Sequence, residues 1–286
     1  MKCHHTADWG VFALVAALAA AIPEFASPTW ATVSTDVAVR PYDADTRESY
    51  VADEQMPPLQ FAAGTGVLVV MLLVLIAAIH SWQSGVQWRW RRIGYCTLAV
   101  GYSVAIAYFG AYMLKFLTRV PRPDFEARCE VNSLNVPLVA ADGRRDDVAV
   151  GLLCCPTKTP ENAVAVEKCR DLVLEGLLNF PSAHATVAAA TVTISFLLST
   201  EVAAGAAAAG AYYVGLLLVN SILLLYCVFA TMTRVADHRH DWTAVFAGAI
   251  LGAALADGVY RLFYVPRTRC TEPQLKPRSR KKGGDV

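Results

Sequence analysis

Residues Thr233 to Ala244 read TRVADHRHDWTA and place an arginine, Arg234, six positions ahead of a histidine, His240. Two other stretches have matching chemistry: Lys115 to Pro123 (KFLTRVPRP) and Pro181 to His184 (PSAH). Together they supply Lys115, Arg122 and Arg234 as cations, Ser182, and the two histidines His184 and His240. A phosphate monoester carries nearly two negative charges and several strong acceptor oxygens, so holding one takes fixed cations and donors. Ser182 and the backbone N–H groups of a helix start add donors. Breaking the P–O bond takes a nucleophile in line with the leaving oxygen and an acid to protonate that oxygen. Histidine does both near neutral pH. The cations neutralise the developing charge, so this set of residues requires neither a metal nor a cofactor.

The elements that must position these residues are membrane helices. Of 286 residues, 55% are hydrophobic and only 17% charged, and the mean hydropathy is +0.40. That balance points to an all-α polytopic membrane protein rather than a soluble domain. A net charge of +1 gives no support for nucleic-acid binding; the partners expected are a phosphate monoester (a lipid phosphate on the resemblance given below) and the bilayer, and a homo-oligomer is compatible with both. A hydrocarbon core of about 30 Å needs roughly 20 apolar residues of helix. Six spans are predicted: Trp9 to Ala31, Phe61 to Trp82, Ile93 to Leu117, Ala185 to Thr200, Ala206 to Met232, and Trp242 to Val265. The first is interrupted by Pro23 and Glu24 and is read as an anchor rather than a cleaved signal.

Residues 1–266 form one membrane domain with a long polar loop over 118–183, and residues 267–286 form a basic tail read as disordered. Lys2, the Arg89/Arg91/Arg92 cluster and the tail fall on one side by parity, and the positive-inside rule makes that side cytoplasmic. Lys115, Ser182, His184, Arg234 and His240 then emerge together on the lumenal or extracellular side of the endoplasmic reticulum or plasma membrane. Cys129, Cys154, Cys155 and Cys169 share the long loop, where an oxidising lumen would allow one or two disulfides of unassigned pairing. Within the sixth span, Asp257 pairs with Arg261 at i+4, and His238 reads as a solvated surface residue.

On these residues the chain resembles the type-2 phosphatidic acid phosphatases, in their lipid phosphate phosphatase branch. That family pattern is KxxxxxxRP, PSGH and SRxxxxxHxxxD. Lys115 to Pro123 matches the first part in full, Pro181 to His184 the second with Ala183 for glycine, and Arg234 with His240 the third with Thr233 for serine. The resemblance covers roughly the second to the sixth span. It implies a core helical bundle and metal-independent dephosphorylation of phosphatidate-like lipids. It further implies that His240 is the nucleophile forming a phosphohistidine and His184 the acid for the leaving group. Lys115, Arg122, Ser182, Ala183 (through its backbone) and Arg234 become the phosphate cradle.

The pattern's closing aspartate is Ala244 here. That aspartate orients the nucleophilic ring, so an alternative is a weakened homologue that binds lipid phosphates without efficient turnover. Asp241, next to His240, points elsewhere on an ideal helix, and Asp237 is another candidate orienter if the loop folds back. A polyprenyl or sugar phosphate phosphatase of the same superfamily is a further alternative. A transporter-like bundle is a third, against which stand the lack of an internal repeat and the clustering of the polar groups at a membrane edge.

Overall fold

Long runs of Val, Leu, Ile and Ala can satisfy their backbone polar groups in lipid only as helices, and the structure, a computed structural model, is helical wherever those runs occur. It describes residues 5–25, 54–83, 86–125, 175–205 and 210–271. The helices are α1 (His5–Phe25), α2 (Pro58–Gln83), α3 (Val86–Thr118), α4 (Ala183–Gly205), α5 (Gly210–Ala236) and α6 (Trp242–Val259). A π-helical turn over Tyr260–Tyr264 then leads into α7 (Val265–Thr271). The four loop cysteines, most of the long loop and residues 272–286 lie outside the described residues.

Five helical stretches are long and apolar enough to cross a membrane: Pro58–Ile79, Arg91–Thr118, Ala183–Ala203, Tyr213–Ala236 and Trp242–Thr268. These are the second to sixth predicted spans. The expected first span also forms a helix, α1, but its apolar part, Ala7–Ala21, is shorter than the other five. Asp8 lies within this part. It is buried and accepts from Arg267 Nε and Nη2 at 2.7–3.2 Å, which ties α1 to α7. Tyr102 of α3 adds a bond from its hydroxyl to the Asp8 carbonyl at 2.8 Å.

α4 occupies the middle of the bundle, against α6, α3, α5 and α2. Leu72, Ile76, Leu98, Ile194, Leu198 and Tyr264 are fully buried in the main core. The outward faces are apolar too: Val67, Val74, Leu217, Leu225, Phe246, Ile250 and Leu262 are all at least 57% exposed. An apolar surface of that extent is stable in lipid and not in water. Asp257 pairs with Arg261 as expected, at 2.7 and 2.9 Å, but both side chains are exposed. The pair therefore sits on the outer surface, and not against the bundle as an intramembrane acid usually does.

The seam between α4 and α6 is the closest. A Cβ added at Gly252 would lie 2.0 Å from the carbonyl oxygen of Thr186, and one at Gly248 would lie 2.6 Å from that of Ser182. Small residues four apart let two backbones approach, as in other membrane helix pairs. Gly252→Ala should therefore force the backbones apart and lower stability by about 1–3 kcal/mol. Gly66→Ala, where an added Cβ meets nothing within 4 Å, is the control. Thermal unfolding of both variants in detergent reads the difference, and an unchanged Gly252→Ala midpoint would remove this account of the seam.

Candidate active site

The spacing between Arg234 and His240 is explained by how α5 ends. His238 N donates to Val235 O at 3.0 Å, and Arg239 N donates to Arg234 O at 2.9 Å. His238 adopts the left-handed region, with φ of 53°. These are the bonds of a Schellman motif, with His238 in the position that usually takes glycine. His238 thus shapes the backbone as well as meeting solvent. His240 N donates to the same Arg234 carbonyl, at 3.1 Å. One backbone oxygen therefore fixes the start of the histidine relative to the arginine.

α6 then begins at once. Asp241 is its N-cap, and its Oδ1 accepts from Ala244 N at 2.6 Å and from Thr243 Oγ1 at 2.9 Å. Ala244 O accepts from Ser182 N at 3.0 Å, which ties the start of α6 to the start of α4. Ser182 is fully buried; its Oγ accepts from Ala185 N at 3.4 Å and its carbonyl accepts from Thr186 N at 3.0 Å. Ala183 and His184 open α4 directly after it.

The end of α3 closes the third side. Residues after Thr118 run alongside residues 175–180, through Asn179 N to Val120 O at 3.0 Å and Arg122 N to Gly176 O at 2.8 Å. Lys115 is buried, and its Nζ donates to Leu178 O. Arg122 Nη1 donates to Glu175 Oε1 at 2.9 Å. The three stretches picked out in the sequence thus meet at one end of the bundle.

Within this end, Lys115, Arg122 and Arg234 are close enough to act electrostatically on His184. Lys115, Arg122 and His184 do the same to His240. His184 Nε2 is buried with no hydrogen-bond partner among the described residues, and its ring lies 5.1 Å from that of Phe61. Arg234 is only 2% exposed. Its Nη1 donates to Glu54 Oε2 at 2.8 Å, and its Nη2 donates to Met56 O at 2.7 Å and Asp237 Oδ2 at 3.1 Å. Its Nε is buried without a partner among the described residues. Asp237 also accepts from Gln55 N at 3.0 Å, so it serves the arginine rather than a histidine.

Two residues belong to this cluster that the sequence did not single out. Arg239 is buried and pairs with Glu54 at 3.3 Å, Glu175 at 3.7 Å and Asp124 at 3.9 Å. A charged residue between Arg234 and His240 was visible in the sequence, but nothing there marked it as buried. The other is Asn179. It is 1% exposed, and its Oδ1 lies 3.1 Å from His240 Nδ1. An asparagine two residues before Pro181 carries no signal of its own.

Burial holds the His240 imidazole well below the ordinary histidine range, and Lys115, Arg122 and His184 add to the effect. A ring so placed is neutral at pH 7 and has a lone pair to offer. If His240 is the base form that reacts, its contribution to the acidic limb of kcat/KM should fall below pH 6.5. A limb at or above 6.5 that moves with His240 would contradict this. The same shift has a sign for stability. As pH falls through the ordinary histidine range, the unfolded chain takes up a proton that the folded ring refuses, so this group's contribution to stability declines toward acid.

The model of the PAP2 superfamily matches residues 96–267 of the chain, which take in all three stretches. Three plant proteins, all from Arabidopsis thaliana, are similar to it. Lipid phosphate phosphatase 1 is 33% identical over 53% of this chain and 39% of its own length. Lipid phosphate phosphatase 2 is 24% identical over 80% of this chain and 71% of its own length. Probable lipid phosphate phosphatase 4 is 27% identical over 58% of this chain and 47% of its own length. The chain thus spans less than half of the first and third of these relatives. No solved structure gives a match. A bundle with five helices long and apolar enough to cross a membrane, two histidines and three cations at one end of it, and a superfamily match over more than half its length make this chain a member of the PAP2 superfamily.

Proposed function

We propose that this protein dephosphorylates lipid phosphate monoesters of the phosphatidate type, without a metal, through a phosphohistidine on His240. The observation that carries the reading is the convergence of His184 and His240 with Lys115 and Arg122 at one end of the helices, where Ser182 N bonds Ala244 O at 3.0 Å, Lys115 bonds Leu178 O and Asn179 lies 3.1 Å from His240. The phosphate oxygens are received by Lys115, Arg122, Arg234, Ser182 and the backbone of Ala183. His240 Nε2 attacks phosphorus while His184 gives a proton to the departing lipid oxygen. Water then attacks the phosphohistidine, with His184 taking the proton from it, and inorganic phosphate leaves.

The membrane edge favours a lipid substrate. Trp242, two residues beyond His240, and Phe246 have stacked rings 6.0 Å apart, and both are more than half exposed. Acyl chains in the bilayer can lie against them while the headgroup enters the site. The positive-inside pattern puts this end on the lumenal or extracellular side and the C-terminus in the cytoplasm. The names of the relatives support the same class of substrate.

The acid role has its own signature. His184→Ala should slow release most where the leaving group is a poor one, such as a lipid alkoxide, and much less for an aryl phosphate. Equal losses for both would remove His184 from that step. The whole reading is tested by phosphate release from short-chain phosphatidate in detergent with EDTA present. The native protein is expected to turn over. If it is silent and Ala244→Asp restores release, the natural role is lipid-phosphate binding. If both are silent, the substrate class is wrong.

A further inference from the structure

We infer that Asn179 is the positioning residue of His240, setting both the direction of its ring and the nitrogen that carries its hydrogen. The kinetic part of this rests on the phosphatase reading above; the structural part does not.

Asp241 is immobilised as the cap of α6, through bonds from Ala244 N and Thr243 Oγ1 to its Oδ1. Its other oxygen, Oδ2, lies 3.3 Å from Asn179 Nδ2. An ionised carboxylate only accepts, so the amide must turn its NH2 toward Asp241. That leaves Oδ1 facing His240 Nδ1, at 3.1 Å. An amide oxygen also only accepts, so Nδ1 must be the donor. A neutral imidazole has one N–H, and Nε2 is therefore left with the lone pair. This is the tautomer that can attack phosphorus through Nε2.

The anchoring is rigid at both ends. Asn179 N is bonded to Val120 O at 3.0 Å and His240 N to Arg234 O at 3.1 Å. Residue 244, where the family pattern has an orienting carboxylate, is a fully buried alanine with only a methyl to offer. The helix cap thus acts on the ring through one amide. A neutral amide aligns the ring without placing a negative charge against it. The charged groups bearing on the ring are Lys115 from α3, Arg122 from the turn after it and His184 from α4, with Asp241 of α6 lying beyond the amide.

Two measurements test the inference. The first is nitrogen-15 NMR of histidine-labelled protein in detergent at pH 7, with the His240 signals identified by their loss in His240→Gln. The native protein should show the Nδ1–H form, and Asn179→Ala should show a mixture of the two forms. A native Nε2–H form, or an unaltered Nδ1–H form in Asn179→Ala, overturns the inference whatever the substrate is. The second is kinetic. Asn179→Ala should lower kcat on the order of 10²-fold with KM changed little, as for an interaction that acts on the reacting group and not on substrate binding.

The paired exchange of Asn179→Asp with Asp241→Asn rebuilds the bridge with its charge moved next to the ring. It keeps a good cap on α6 and should recover most of the lost kcat. It should also move the acidic limb of kcat/KM to higher pH, because a carboxylate in contact favours the imidazolium. Full kcat in Asn179→Ala, or a rebuilt bridge with an unmoved limb, counts against Asn179. If the native protein hydrolyses no lipid phosphate but the NMR result holds, the substrate reading fails and the positioning role stands.

Discussion

Replacing His240 with alanine should abolish phosphate release, by about 10⁴-fold or more, the scale seen when a nucleophile is removed from a hydrolase. The expectation follows from the architecture around the ring. His240 is 4% exposed, is held at its backbone by the Arg234 carbonyl and is held at Nδ1 by Asn179. His184, the other histidine of the candidate set, starts a different helix. The measurement is release of inorganic phosphate from short-chain phosphatidate with EDTA, beside acid-labile phosphate incorporated into the protein. Native protein should carry the label transiently and His240→Ala should not. The substitution should leave folding nearly intact, because an alanine keeps the backbone bonds and loses only one side-chain bond. Turnover that survives in a folded His240→Ala protein would end the phosphohistidine reading.

Arg234→Ala should produce the second largest effect, and on two properties together. The side chain joins Glu54, the Met56 carbonyl and Asp237. Asp237 is 1% exposed, so removing its cation leaves a buried charge poorly compensated. Breaking a buried pair in this way costs about 3–5 kcal/mol. Turnover should also fall, on the order of 10²–10³-fold, as when one preorganised donor is taken from a site of developing charge. Arg234→Lys separates the two effects. A lysine keeps the positive charge beside Asp237 but cannot span three acceptors in one plane. It should recover part of the thermal stability and little of the kcat. If Arg234→Ala unfolds at the native midpoint and keeps the native kcat/KM, both the ion-pair account and the cradle role are wrong.

These results bear on how the segment before α2 is held. Glu54 bridges Arg234 at 2.8 Å and Arg239 at 3.3 Å, while Tyr226 of α5 donates to the Gln60 carbonyl at 2.9 Å. The segment is thereby fastened to the end of α5 from which the turn carrying His240 departs. Charge in this region is shared: Arg122, Arg234 and Arg239 are linked through Glu54 and Glu175, and Asp124 also lies beside Arg239. A cluster of this kind is better suited to holding a shape than to raising stability outright.

Hydropathy and residue spacing alone were enough to read the helical class, the second to sixth spans, and Lys115, Arg122, Ser182, His184, Arg234 and His240 as one candidate set. They were enough because hydropathy is a local property, and because a helix crossing a bilayer must bring its polar ends to one of only two faces. They did not determine what those residues touch. Arg239 looked like any loop cation, and it is buried because the turn after α5 folds it toward Glu54 and Glu175. Asn179 looked like a neutral turn residue, and it becomes the partner of His240 because residues 175–180 lie along the end of α3. Ala244 suggested a ring without an orienting partner. In the fold, the Asn179 amide, far from it in sequence, lies 3.1 Å from the ring. Spacing within one helix end can be read along the chain, whereas contacts between ends depend on how closely the helices approach. Here that approach is fixed by Gly248 and Gly252, whose lack of side chains brings α6 onto α4 and the two histidines to the same end of the bundle.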